Sequence, residues 1–394
     1  MTRPEPDHSL IPQSSTAVGP ISRLAERTLA ERVAREQTAP ATVARTLIVG
    51  PGGYDTIAGA VAEARDGDTV LVHPGTYQET VTVERSIALV GHGDRAGVIV
   101  EGVGVPCLRL LSTAARVANL SFRPALRTPE TREARENHWP PGFGEIEIIG
   151  GAPTLVDLDI ATDNAGILIW DRATPAIARC RINGGHGIWL ANANGVIEGN
   201  EIFDTAHGAI VIRGEEANPV VRGNTIRDCD YLGIWIKGGA EGTIEANEVS
   251  RVAGAGIVIW RSTPAVRNNT IHDNQGGIFF DDGAGGTIED NEIYDNAAVG
   301  VGISGEGTAP RVRNNTIREN QGGILIAEGA GGTIHGNEIY GNAVAEIGVV
   351  GEGSAPVVSG NAVSKGDDGI AVVDGASPTI VGNTTWNGGA GGNF

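Results

Sequence analysis

The chain has 394 residues, 59 of them glycine, with few aromatics and a formal charge of -19. So much glycine without a Gly-X-Y period predicts many tight turns and excludes collagen. The negative charge would repel a phosphate backbone or an anionic bilayer, so nucleic acid and membrane are excluded as expected partners.

The N-terminal segment, residues 1–45, is predicted to be a flexible or helical arm. Its opening, MTRPEPDHSLIPQSS, lacks the apolar core of a secretory signal, and no stretch of the chain approaches a membrane span. A cytoplasmic location is therefore expected. The following stretch, ISRLAERTLAERVAREQ, is charged and has helical character, which favours a mobile arm or a partner-docking segment.

A short amphipathic helix is predicted next, over residues 54–65, where Ile57, Val61 and Ala62 form its apolar side. Solenoid ends need a cover for their core. This segment is therefore predicted to cap the N-terminal end of the domain at residues 46–394.

The segment at 123–144, RPALRTPETREARENHWPPGFG, interrupts the spacing of the strands around it. A long insertion in a regular solenoid is more often functional than neutral. It carries His138 and Trp139, which are predicted to close over a neighbouring face.

From about residue 146 the chain repeats a strand, a Gly or Pro turn, a second short strand and an asparagine, with a step of 21 to 24 residues. A period this short indicates a solenoid. The Leu-x-x-Leu-x-Leu frame of leucine-rich repeats is absent, and nothing indicates one helix per repeat. The pattern therefore predicts an all-β fold, a parallel β-helix. Two apolar columns are predicted to form its core: Ile167, Ile188, Ile210, Ile234, Ile257, Ile278, Val301, Ile324, Ile347, Ile370, and, two residues on, Ile169, Leu190, Ile212, Ile236, Ile259, Phe280, Ile303, Ile326, Val349, Val372.

A polar column recurs in one turn of each repeat: Asn200, Asn224, Asn247, Asn269, Asn291, Asn315, Asn337, Asn361 and Asn383. A side-chain amide both donates and accepts, so each can bond to the amides above and below it. This column is predicted to be a structural asparagine ladder. Its first place is taken by Cys180. With Cys107 and Cys229, this thiol is expected to be reduced and buried, because three widely spaced cysteines do not suggest a disulfide framework.

These motifs resemble a known group. GDTVLVHPGTYQETVTVERSIALVGHG is similar to the opening coil of pectin-lyase-like proteins. The alternation of PAVRNNTIH with GGTIEDNEIYDNA resembles the carbohydrate-binding and sugar-hydrolase β-helix domain, including the copy in certain F-box proteins. The resemblance covers roughly residues 46–383. It implies a right-handed β-helix, the hand that parallel crossover chirality also favours. It implies no ubiquitin-ligase role, and no motif here matches the calcium-binding acidic cluster of the pectate-lyase branch.

Side chains that alternate with the core columns point outward, and the coils up to about residue 282 carry four of the six tryptophans among them. Aromatic faces beside fixed charges suit a glycan, a peptide or a small molecule. The alternative interpretation is a protein contact, such as a homodimer interface, or ordinary strand surface. The residues predicted to bind ligand are His138, Trp139, Trp170, Asp171, His186, Trp189, Tyr231, Trp235, Trp260, Arg261 and Phe279.

Catalysis on the same face is the alternative function. Lys237 or Arg213 is predicted to act as base, Asp281 as acid or cation ligand, and His207 as a general base near neutral pH. The reactions considered are those of a polyuronate lyase or epimerase, or of an intracellular tailoring enzyme acting on a smaller substrate. Neither a cofactor nor a metal is predicted, because calcium would require carboxylates from separate coils, Asp281 and Asp282 with Asp171 or Glu147, to converge.

Overall fold

The computed structural model describes residues 43–102, 106–111, 113–125, 143–364 and 368–386. Most of the predicted arm, and His138 and Trp139 in the predicted insertion, lie outside the described residues. Arg45–Phe394 form one compact unit. The described part of this unit is a parallel β-solenoid with one α-helix, α1 at Ile57–Glu63, and one 3-10 turn at Arg95–Gly97.

Each coil contributes to three stacks of strands, and every described strand pairing is parallel. Stack A is a 15-stranded sheet. Its strands are β1 (Thr46–Val49), β2 (Thr69–Val72), β5 (Ala88–Gly91), β8 (Arg116–Ala118), β11 (Thr154–Val156), β13 (Ala176–Ala178), β15 (Val196–Glu198), β18 (Val220–Arg222), β21 (Thr243–Glu245), β24 (Ala265–Arg267), β27 (Thr287–Glu289), β30 (Arg311–Arg313), β33 (Thr333–His335), β36 (Val357–Ser359) and β39 (Thr379–Val381).

Stacks B and C follow stack A in each coil and are joined by two long strands, β12 (Asp159–Trp170) and β14 (Arg181–Ala191), which run through both. The other strands of stack B are β3 (Gly75–Gln78), β6 (Val98–Gly102), β9 (Ser121–Pro124), β16 (Glu201–Phe203), β19 (Thr225–Cys229), β22 (Glu248–Val252), β25 (Thr270–His272), β28 (Glu292–Tyr294), β31 (Thr316–Arg318), β34 (Glu338–Tyr340), β37 (Ala362–Ser364) and β40 (Thr384–Trp386). Those of stack C are β4 (Val81–Val83), β7 (Leu108–Leu111), β10 (Ile146–Ile149), β17 (Gly208–Arg213), β20 (Leu232–Lys237), β23 (Ala255–Trp260), β26 (Gly276–Asp281), β29 (Val299–Ser304), β32 (Gly322–Ala327), β35 (Ala345–Val350) and β38 (Asp368–Val373).

The predicted core columns fill the interior of the coils. Ile234 and Ile236 of β20 are fully buried, as are the equivalent residues of the preceding and following coils. Glycine is the second residue of many strands of stack C because a side chain has no room there: a Cβ on Gly233 would lie 2.3 Å from the carbonyl oxygen of Gly256. The prediction is wrong at Val372, which is 41% exposed because β38 is the last described strand of its stack.

The capping helix is confirmed, with one residue corrected. In α1 the buried residues are Ile57, Ala60 and Val61, whereas Ala62, predicted to be on the apolar side, is exposed. The carboxylate of Glu79 accepts hydrogen bonds from the backbone N–H groups of Ile57 and Ala58, at 2.8 and 2.7 Å. This carboxylate satisfies the N-terminal donors of α1 and ties the helix to the coil beneath it.

The asparagine ladder is also confirmed. From Asn224 to Asn383, the side-chain Oδ1 of each asparagine accepts two hydrogen bonds from the preceding asparagine of the ladder. One comes from the backbone N–H and the other from the side-chain Nδ2, at 2.9–3.0 Å. Cys180 fits at its end because the ladder needs only a backbone donor there: the Cys180 N–H donates to Asn200 Oδ1 at 2.9 Å.

A second, shorter ladder runs through the turns between stacks B and C, and the sequence analysis missed it. It comprises Asn274, Asn296, Asn320 and Asn342, each five residues after a member of the first ladder. Val252 N–H donates into one end, and the other end is closed by Asn342 donating to the buried carboxylate of Glu346. Two of the three corners in these coils are therefore fixed by buried amide hydrogen bonds.

The three cysteines are free and buried, as predicted. Burial raises the pKa of the Cys180 thiol to about 12 and also raises the pKa of Cys107, whose Sγ donates to Glu145 at 3.0 Å. Thiols in such surroundings are protonated and inert.

Candidate ligand-binding site

The outward side chains of stack C form two columns that cross the coils in register. In the first, Trp189, Val211 and Trp235 are neighbours on successive strands; in the second, Arg213, Lys237, Trp260 and Asp281 follow one another. Parallel strands lie ~4.8 Å apart, so residues separated by a hundred positions in sequence become adjacent.

Part of this outward side is a second, smaller apolar core. Ala165, Leu168, Trp189 and Val211 are buried together, and Trp170, Ala191 and Trp235 pack against them. The expectation that every outward side chain faces solvent is therefore wrong for Trp189, which is 0% exposed, and for Lys237, which is 5% exposed. Trp189 is buried because Leu168 and Val211 flank it on the adjacent coils and complete an apolar patch around its ring.

Lys237 is the central charged group of the site. Its Nζ lies 3.7 Å from the centroid of the Trp235 ring and 5.2 Å from that of Trp189. Burial, and to a lesser extent the charge of Arg213 on the adjacent coil, lowers the pKa of Lys237 to about 7. At neutral pH a large fraction of this amine is therefore unprotonated, which a base or a nucleophile requires.

Two histidines are linked to this cluster through the ring of Trp189. The rings of His186 and His207 stack at 4.6 Å, and His186 meets the Trp189 ring edge-on at 5.3 Å. His186 is almost completely buried, whereas His207 is half-buried. Burial, with smaller contributions from His207 and Lys237, lowers the pKa of His186 to about 3, so its imidazole is neutral at physiological pH.

The low pKa of His186 predicts a pH-dependent stability. Since its pKa is about 3 when folded and about 6.5 when unfolded, the stability from its neutral ring is present above pH 6.5 and is lost as the pH falls towards 3. Between pH 6 and pH 4 the wild type should lose roughly 2 kcal/mol of unfolding free energy more than His186→Gln. Urea denaturation at several pH values measures how the free energy of unfolding depends on pH in the wild type and in His186→Gln. The exposed His335 gives the control: if His335→Gln flattens the slope as much as His186→Gln, burial is not the cause.

An open depression of about 500 Å³ borders this cluster. Trp170 forms one wall and the exposed Arg213 the other, because the small Ala191 lies between them on the middle coil. Its remaining lining comes from the turns that follow these strands: Asp171, Arg172, Asn192, Gly214 and Glu216. Arg172 and Glu216 form an ion pair across it.

The other predicted residues lie further along the rod or at the edge. Trp260 is half-buried under the guanidinium of Arg261, 5.0 Å from its ring centroid, and Arg261 also pairs with Asp282 at 2.7 Å. Asp281 is two coils from Lys237 and is exposed. Phe279 lies over Gly302, where a Cβ would come 2.6 Å from its ring.

Tyr231 is exposed at the corner that precedes β20, and Asp171 lies in the turn after Trp170 with a left-handed φ of 53°. The structure thus brings Trp170, Asp171 and Arg213 together at the depression. It places His186, Trp189, His207, Trp235 and Lys237 in the adjoining cluster, and leaves Trp260, Arg261, Phe279 and Asp281 on later coils.

Within the described residues, no group of three or more His, Cys, Asp or Glu side chains is arranged to hold a metal ion. Glu147, one of the carboxylates considered for calcium, pairs with Arg109 at 3.0 Å. Across the same described ranges, no helix has the length and apolar character needed to cross a bilayer.

Stack B carries a smaller depression, of about 270 Å³, that sequence reasoning did not find. Arg123, Asp159, Arg181 and Phe203 contribute to its lining. The Phe203 ring lies between two guanidiniums, that of Arg181 at 5.3 Å and that of Arg227 at 4.8 Å. The sequence could have indicated this depression, because side chains in the stack B strands alternate between inward and outward positions as they do in stack C.

Comparison with known families identifies the repeats. The family model described as a right handed beta helix region matches residues 165–317 and 276–394, which together exceed half of the chain.

Solved structures share the fold at low sequence identity. The A-module of mannuronan C-5 epimerase AlgE6 from Azotobacter vinelandii is 15% identical, with a TM-score of 0.50, over 84% of this chain and 94% of that one. The catalytic unit of a GH87 alpha-1,3-glucanase from Streptomyces thermodiastaticus is 15% identical, with a TM-score of 0.55, over 89% of this chain and 71% of that one. A GH87 alpha-1,3-glucanase catalytic domain in complex with tetrasaccharides is 12% identical, with a TM-score of 0.51, over 89% of this chain and 70% of that one.

Proposed function

We propose that this chain, which belongs to the right-handed β-helix family, binds a carbohydrate on the outward face of stack C. The observation that carries the proposal is the depression over Ala191, walled by Trp170 and Arg213. A sugar ring has apolar C–H faces and a hydroxylated edge. An aromatic wall opposite a guanidinium matches both surfaces.

The distribution of charge around the depression favours a polar ligand over an apolar one. Arg213 is exposed, and Asp171 and the Arg172–Glu216 pair lie on the rim. These groups can orient hydroxyls or a carboxylate, whereas Trp170 and Ala191 supply apolar contact. The names of the structural neighbours, an epimerase of mannuronan and a glucanase, fit this ligand class. Their identity to this chain is too low for any of their residues to be carried over.

A second candidate function is a carbohydrate-active enzyme that uses the same face. Lys237 favours it, because a lysine whose pKa is lowered to about 7 can remove a proton at neutral pH. Lys237 is paired with Arg213 on the adjacent coil, and Arg213 forms one wall of the depression. Binding requires only the depression, whereas catalysis requires the amine as well.

The binding proposal predicts that Arg213→Ala weakens oligosaccharide affinity about tenfold or more, since it removes a charged hydrogen-bond donor from the site. Screening the protein on an array of neutral and acidic oligosaccharides would identify the ligand, and calorimetry would give the affinities. The fold should be unaffected, because Arg213 is exposed.

Two variants serve as controls. Arg311→Ala removes the same charge from stack A, and Leu325→Ala changes the first outward column of stack C in a later coil. Both should bind as the wild type does. Equal losses in Arg213→Ala and Arg311→Ala would show that net charge and not the depression controls binding. If a peptide or protein binds there and no oligosaccharide does, the carbohydrate proposal is wrong.

A further inference from the structure

The ring of Phe279 lies flat on stack C, in space that two glycines leave open. A Cβ on Gly276 would come 2.3 Å from Cε2, at one edge of the ring, and a Cβ on Gly302 would come 2.6 Å from Cδ1, at the opposite edge. A side chain at either position would therefore push the ring away from the sheet. Since the backbone lies under one face of the ring and Phe279 is partly exposed, the other face is turned to solvent.

Phe279 ends a partly exposed apolar strip. Trp235, Val258 and Phe279 are partners on successive strands in the first outward column, and all three are partly exposed. The next partner in this column is Gly302, which has no side chain. A flat aromatic surface at the end of such a strip suits the apolar C–H face of a sugar ring.

A carboxylate lies beside the ring. Asp281 is exposed and follows Phe279 by two residues on the same strand, so both side chains are on the same face. Its Oδ1 accepts from the backbone N–H of Asp282 at 2.7 Å, and the described residues provide no other hydrogen bond or ion pair to this carboxylate. It can therefore accept hydrogen bonds from the hydroxyls of a sugar, whereas a carboxylated sugar would be repelled.

Four strand steps separate Phe279 from the floor of the depression. Ala191 lies on β14 and Phe279 on β26, with β17, β20 and β23 between them. At ~4.8 Å per step, the two positions are ~19 Å apart along the rod. A monosaccharide or a disaccharide is too short to contact both positions. An oligosaccharide that lies along stack C is long enough.

We propose that Phe279 and Asp281 form a second sugar-binding position, and that the ligand of stack C is a neutral oligosaccharide extending from the depression to this position. The inference rests on the proposed function, because the depression holds one end of the same ligand. It adds the length and the charge of that ligand. Contact with Phe279 requires several linked sugar units, and the unit beside Asp281 has no negative charge.

Calorimetry with oligosaccharides of increasing length tests the inference. The probes are neutral mannose and glucose oligomers, and mannuronate oligomers with the linkage of the mannose series, each from the disaccharide to the hexasaccharide. A neutral hexasaccharide should bind about tenfold more tightly than its disaccharide, and Phe279→Ala should remove this gain without changing the affinity for the disaccharide. The inference is wrong if Phe279→Ala binds the hexasaccharide as the wild type does, or if mannuronate oligomers bind more tightly than mannose oligomers.

Gly302→Ala tests the position of the ring while keeping the phenylalanine. Its Cβ would come 2.6 Å from Cδ1, so the ring must leave the sheet, and affinity for the hexasaccharide should fall about as much as in Phe279→Ala. Gly348→Ala is the matched control, because it adds the same carbon to the same column at an ordinary contact distance of 3.4 Å from Leu325 Cδ1. Equal losses in the two glycine variants would contradict the inference.

The outcomes separate the two proposals. Hexasaccharide binding that depends on Arg213 but not on Phe279 means that the second position is wrong and the binding proposal stands. Dependence on Phe279 but not on Arg213 supports the second position and refutes binding in the depression. If none of the three series binds, the inference is wrong, and the oligosaccharide array decides the binding proposal.

Discussion

Trp189→Ala is expected to lower the free energy of unfolding by about 3–5 kcal/mol, the range for removing a fully buried large aromatic side chain. Trp189 is 0% exposed although it points away from the interior of the coils. Its ring packs with Leu168 and Val211 of the adjacent coils, and Trp235 lies against the same group. Truncation leaves a cavity that the rigid, register-locked strands around it cannot close. Chemical denaturation followed by circular dichroism measures the loss.

Trp260→Ala is the matched control for this prediction. Trp260 lies on the same stack, but it is half-buried and is not part of the cluster around Trp189. Its truncation should cost clearly less, about 1–2 kcal/mol, because much of its surface is already in contact with water. Equal losses for the two variants would mean that the outward cluster is not a second core. Trp189→Ala should also raise the pKa of Lys237 toward its ordinary value, since water then reaches the amine.

The interior of the coil was predictable from the sequence because it depends on local alternation. Residues two apart in a strand share a face, so the Ile234 and Ile236 columns could be assigned without knowing any partner. The outward face was only partly predictable. Whether Trp189 is buried depends on Leu168 and Val211, which are about twenty residues away along the chain and adjacent only after the coils stack. The columns placed these residues side by side, but alternation alone does not indicate that they form a second core.

The candidate site shows the same division. The sequence grouped Arg213, Lys237, Trp170 and Trp235 on one face, and the structure brings these residues together. The sequence could not indicate that Ala191 leaves a depression between Trp170 and Arg213, because a cavity depends on the space that neighbouring side chains leave unfilled. Nor could it indicate the lowered pKa of Lys237, which depends on its desolvation in the folded protein. The sequence pattern identified the residues of the site, but it could not indicate their protonation states.

Asn269→Ala is expected to cost about 3–4 kcal/mol of unfolding free energy, because two buried backbone groups lose partners at about 1–3 kcal/mol each. Asn269 Oδ1 accepts from Asn247 N–H at 3.0 Å, and its Nδ2 donates to the carbonyl of Ile244 at 2.9 Å. Alanine fills neither role, and water has no access to a residue that is 1% exposed. Urea denaturation compares the variant with the wild type, and oligosaccharide affinity should remain unchanged, since the ladder lies between stacks A and B.

The neighbouring Asn268 provides the control, because it is an exposed asparagine at the same corner. Its φ is +54°, a conformation that alanine disfavours, yet Ala246 occupies the equivalent position one coil earlier with a φ of +53°. Asn268→Ala should therefore cost about 1 kcal/mol or less. A similar loss in both variants would show that asparagine is required for the turn conformation and not for the ladder. If only Asn269→Ala is destabilised, the cause is loss of the buried amide that joins one coil to the next. Replacing any other ladder asparagine from Asn224 to Asn361 by alanine should then lower the free energy of unfolding in the same way.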